Sequence, residues 1–172
     1  MPLARAYKVG VFDTATPLAT GAAVATTTPT PILYGVTTAT ADCNISAYRF
    51  GCMGAPSFPA NASWVASINI NTGAQAGGQT AAAVQLSGVT RAATTLFKTA
   101  GGTSAAAITG LTMTTFLYTL PAAPFTAGSN WGEWVTPSFE INIPISTQFA
   151  VFITCSSAGT STTFGAEIEF TE

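Results

Sequence analysis

A two-residue alternation of apolar and polar side chains restricts what this chain can fold into more than any other feature. In Phe164-Gly-Ala-Glu-Ile-Glu-Phe170, the residues Phe164, Ala166, Ile168 and Phe170 fall on one face, and Gly165, Glu167, Glu169 and Thr171 on the other. That is the pattern of a half-buried strand. Residues 138–143 repeat it, with Phe139, Ile141 and Ile143 inward and Glu140 and Asn142 outward. Pro144 then interrupts the ladder, because proline has no N–H to donate. Residues 148–154 carry Phe149, Val151 and Ile153 on one face and Ala150 and Phe152 on the other. A strand apolar on both faces reads as central in its sheet or as lying at a subunit contact.

Residues 7–12, 32–38, 45–52 and 64–70 read as further strands, and 108–120 as one long strand. Residues 81–98 pose a choice. Alanine favours a helix, but the apolar positions miss a 3.6-residue period and Ser87-Gly88 weakens one, so two short strands are preferred. The Thr-Thr-Thr-Pro-Thr-Pro run at 26–31 is barred from helix and reads as extended. The expectation is a single all-β domain over residues 1–172, with an extended N-terminal arm over about 1–31. Its architecture is an antiparallel β-sandwich or barrel, jelly-roll-like, of eight to ten strands. Irregular connection lengths and the missing Cys…Trp…Cys spacing set it apart from an immunoglobulin-like sandwich.

Composition narrows the function. The 172 residues include no histidine and only twelve charged side chains, five cationic and seven acidic, while 48 % are hydrophobic. No imidazole is present to act as a general base or metal ligand. Neither Lys8 nor Lys98 stands in a Ser-x-x-Lys setting, so a hydrolase is not expected. The dispersed cations argue against a nucleic-acid partner. Gly101, Gly102, Gly110, Pro121 and Pro124 break the uncharged run between Lys98 and Glu133, which argues against a membrane helix. The N-terminal residues lack the apolar region of an export signal, pointing to synthesis in a cytoplasm and release by a route such as lysis. A surface of hydroxyls and amides repels its neighbours weakly, which favours a permanent homo-oligomer. The three cysteines, Cys43, Cys52 and Cys155, read as buried thiols, with a Cys43–Cys52 bridge left open. No metal or cofactor is implied.

Two places invite a site. Trp131-Gly-Glu-Trp134 sets two indoles around the carboxylate of Glu133, and with Phe125 it forms the set of interface or ligand candidates. Indoles and a carboxylate suit a sugar, and they equally anchor a loop to the core or to a neighbouring subunit. Glu167 and Glu169 share a face; without a calcium-loop pattern they read as a solvated strand edge kept from pairing by its charges.

The stretch Ser138-Phe-Glu-Ile-Asn-Ile-Pro-Ile-Ser-Thr-Gln-Phe-Ala-Val-Phe-Ile-Thr154, followed by the Ser/Gly/Thr loop at 155–163 and a final strand, resembles structural proteins of tailed bacteriophages. There a strand ends in an Ile-Pro-Ile turn and a buried strand follows. The composition, poor in charge and rich in Thr, Ala and Gly, is similar to capsid decoration, or cement, proteins. The resemblance implies a jelly-roll virion structural protein on the outer capsid surface. It would be trimeric, bound to the major capsid protein or other virion proteins, and without enzymatic activity. The alternative is a fibre or spike module recognising a host glycan through Trp131, Glu133 and Trp134.

Overall fold

The computed structural model describes residues 6–10, 22–24, 29–53, 63–70, 72–73, 75–86, 91–99, 108–111, 115–119, 123–124, 130–131, 134–155 and 162–172. Their secondary structure is all strand. In chain order the strands are β1 (Ala6–Gly10), β2 (Ala22–Val24), β3 (Thr30–Val36), β4 (Cys43–Met53), β5 (Ser63–Ile70), β6 (Gln79–Ala81) and β7 (Val84–Gln85). They continue with β8 (Leu96–Thr99), β9 (Thr115–Thr119), β10 (Ala123–Pro124), β11 (Asn130–Trp131), β12 (Ile141–Ile143), β13 (Gln148–Cys155) and β14 (Thr162–Thr171). Eight of these have four or more residues; the other six are short edge pieces.

The strands form two antiparallel sheets. One runs β11-β4-β14-β1-β7, with β12 also on β4 and β2 on β14. The other runs β10-β5-β13-β3-β8-β6, with β9 also on β5. The pairs β1–β14, β3–β13, β4–β12 and β5–β9 are nested in sequence, like the rungs of one long hairpin. Along the first half of that hairpin the strands β1, β3, β4 and β5 alternate between the sheets. A rolled hairpin of this kind is a jelly roll.

Its core lies between the sheets. The alternation places Ala166, Ile168 and Phe170 inward, against Tyr7, Val9, Ile45, Tyr48 and Phe50 of the same sheet and Phe97, Phe149 and Val151 of the other. An aromatic chain crosses the gap. Tyr7 stacks on Phe170 at 5.3 Å between ring centroids, Phe170 meets Phe97 at 5.1 Å, and Phe97 meets Phe149 edge-on at 6.0 Å. The β13 strand sits between β3 and β5, and its residues 149–153 are buried on both faces. A central position in its own sheet therefore accounts for its two apolar faces.

Residues 79–86 and 91–99 close one side of the sandwich. β6 joins the second sheet beside β8, β7 crosses to β1 of the first sheet, and β8 returns to β3. Of the two readings of 81–98, short strands are the one observed.

Several expectations need correction. The N-terminal segment is no free arm over its described part: β1 lies between β14 and β7, with Tyr7 and Val9 in the core. Thr30 and Pro31 belong to β3. Proline is tolerated there because β8 pairs only from Leu33 to Val36, leaving Pro31 on an edge. The long strand expected over 108–120 is broken at Gly110, whose φ of +81° turns the chain; the strand proper is β9. Phe139 is not inward. It lies in a bend ahead of the three-residue β12 and is 85 % exposed. Cys43 and Cys52 sit at opposite ends of the same strand, about 30 Å apart at the usual rise per residue, which rules out a bridge between them.

Candidate functional site

Of the four residues picked from the sequence, Phe125 and Glu133 lie outside the described residues. Trp131 and Trp134 lie on one interrupted edge of the first sheet, which runs along β4 through β11, a bridge at Val135 and β12. Trp131 is opposite Gly51 and Val135 opposite Tyr48, so Trp134 comes level with Arg49. Tyr48 points into the core, and Arg49 therefore points out of the sandwich, as the strand period requires.

There a compact ionic and aromatic cluster forms. The Arg49 guanidinium lies 4.9 Å from the centre of the Trp134 ring and the Lys8 ammonium 5.9 Å from it. Arg49 Nε donates to Glu167 Oε2. Lys8 stands opposite Glu169 in the β1–β14 ladder. Glu167 is not the solvated edge charge expected: β14 is central in its sheet, and Glu167 is 0 % exposed. It fits because its neighbour across the ladder is Gly10, where a β-carbon would collide with the Glu167 side chain. A carboxylate taken out of water needs a charged partner, and Arg49 supplies it. Two of the five cations thus converge on one indole. Chemically, the cluster ties the 130–143 edge to the sheet.

A second locus lies apart from the residues that the sequence singles out. Strand registers bring the loop at 37–42, the segment at 91–95, the turn at 144–147, Leu86 and Glu172 to one end of the sandwich. Threonine hydroxyls join them. Thr37 Oγ1 donates to the Pro144 carbonyl at 2.6 Å and accepts from Thr147 N–H at 2.8 Å. Ser146 N–H donates to the Thr38 carbonyl at 2.9 Å, with Ser146 at φ +53°. The Glu172 carboxylate accepts from Thr94 N–H (2.8 Å), Thr94 Oγ1 (3.0 Å) and Thr95 N–H (2.6 Å). Hydroxyls and one carboxylate do here what salt bridges do in more charged proteins. The same end exposes Leu86, Leu96 and Ile145, with Leu96 66 % exposed.

Beneath this rim lies Cys43, a free thiol. Burial pushes its pKa well up, the charge of nearby Glu172 adds to the rise, and the Thr95 hydroxyl offsets part of it. Such a thiol stays protonated and inert. Among the described residues no three His, Cys, Asp or Glu side chains are grouped to hold a metal ion, and no helix is long and apolar enough to cross a membrane.

Fold and site together define a jelly-roll β-sandwich with a threonine-laced end and an ionic cluster under an indole. Comparison with protein-family models, curated proteins and solved structures returned no match.

Proposed function

We propose that the protein is a structural component of a virion, a capsid decoration protein that acts without catalysis by bridging subunits of the mature shell. The observation that carries this reading is the end of the sandwich where Leu86, Leu96 and Ile145 stand in water amid threonine hydroxyls. Such a surface loses little on desolvation, because few charges have to be stripped of water, and it gains from apolar burial. The jelly roll is a fold of viral capsid domains, and this analogy supports the reading. A protein that binds only the expanded shell stabilises that state by mass action.

The Trp134 ring is already engaged by Arg49 and Lys8, which favours an anchoring role over a sugar platform at this indole. The test is co-sedimentation of the purified chain with shells of the phage that encodes it. Binding to expanded shells and not to unexpanded ones, weakened by Leu96→Ser and Ile145→Ser, is the expected result. Failure to bind either shell overturns the reading. A trimer by light scattering is the expected solution state.

A further inference from the structure

The crossing of residues 79–86 from the second sheet to the first leaves a recess beside β8. β6 stops opposite Phe97, and the chain then turns away to β7, so the flank of Leu96 is left without a neighbouring strand from β6. What bounds the space is small: Ala82, Ala83 and Ala92 line it, with Val36 and Leu96. Methyl groups at these positions leave about 470 Å³ open. That is within the size range of small-molecule sites, roughly 300–1,000 Å³, which combine apolar walls with a few fixed polar groups.

Lys98 supplies the charge. It points to the same side of the second sheet as Tyr34, its partner in the β3–β8 ladder, and both line the recess. No carboxylate is among the described lining residues. The Tyr34 hydroxyl is held above the ordinary phenol pKa by burial, so it remains a donor at neutral pH.

We propose that the recess binds a small amphiphile: an apolar chain lying against Val36, Ala82, Ala83, Ala92 and Leu96, and ending in a carboxylate held by Lys98. The apolar wall accounts for binding an alkyl chain, and the Lys98 ammonium for preferring an anionic head over a neutral or cationic one. The recess shares Leu96 with the end proposed to meet the shell, and titration of the free chain with small probes reads it without any shell present.

Isothermal titration of the full chain with decanoate and decyltrimethylammonium below their micelle concentrations, and with decanol below its solubility limit, tests the proposal. Decanoate is expected to bind at least about tenfold more tightly than the other two. Lys98→Gln is expected to remove that preference while leaving decanol binding in place. Ala92→Phe, at an exposed position, is expected to abolish binding of both, with thermal melts checking that each variant folds. Equal binding of all three probes overturns the proposal, as does decanoate binding indifferent to either variant. So does absence of decanoate binding at about 1 mM.

Discussion

Arg49 and Glu167 face each other across β4 and β14 with unequal access to water: the Arg49 side chain is 29 % exposed and Glu167 is fully buried. Removing one partner is therefore not equivalent to removing the other. Arg49→Met leaves a buried carboxylate without its guanidinium and strips Trp134 of the nearer of its two cations. The expected loss is about 3 kcal/mol, the usual scale for breaking a buried pair from one side. Glu167→Gln keeps the shape, and Arg49 still reaches solvent and the indole, so the expected loss is about 1 kcal/mol. Urea denaturation of both variants and of the double variant checks this. Equal losses from the two single changes would contradict the account.

Gly35 is a matter of space. The Phe149 ring lies over it, and a β-carbon there would collide with the ring. Phe149 is also the last member of the aromatic chain through Phe97 to Phe170 and Tyr7. Gly35→Ala is expected to push that ring into Phe97 and cost about 2–3 kcal/mol, as overpacking does in a dense core. Thermal unfolding measures it, and near-ultraviolet circular dichroism should change with the aromatic packing.

The threonine end permits an isosteric test. Thr37→Val removes the hydroxyl that serves both the Pro144 carbonyl and Thr147 N–H, while keeping the volume. The expected loss is about 2 kcal/mol, because a buried N–H is left without its acceptor. Ser146→Gly works in the opposite direction: at φ +53° a side chain is strained, and relief is expected to add about 0.5–1 kcal/mol. Denaturant midpoints of the two variants should move in opposite directions from that of the parent.

Much of the sandwich could be read from local sequence, because strand period is a local signal. The inward set Ala166, Ile168 and Phe170 and the doubly buried β13 follow from alternation alone. The site was less accessible. The ionic pair joins residues 118 positions apart, and the Thr37–Thr147 contacts join residues 110 apart. Only the register between distant strands brings them together, and no local pattern encodes that. Glu167 looked like a surface charge because nothing in Glu-Ile-Glu tells a central strand from an edge. Phe139 looked buried because alternation continues past the point where pairing with β4 stops. Local sequence points to Trp134 but not to its partners Arg49 and Lys8. The one available hint was that Arg49 lies between the inward residues Tyr48 and Phe50 and must therefore face outward.

Cys43 makes stability depend on alkaline pH. Burial and the charge of Glu172 hold its thiol pKa well above the free value of 9.0, so in the fold it stays protonated where the unfolded chain releases the proton. A group whose pKa is raised by folding contributes fully below its unfolded pKa and loses that contribution as pH rises toward the folded one. The unfolded state thus gains about 1.4 kcal/mol per pH unit above 9 from this thiol. Between pH 9 and pH 10 the unfolding free energy of the parent should therefore fall by about 1 kcal/mol more than that of Cys43→Ala. Urea titrations of both chains at the two pH values, under reducing conditions, measure the difference. The same alkaline slope in both would mean that the thiol ionises as readily in the fold as out of it.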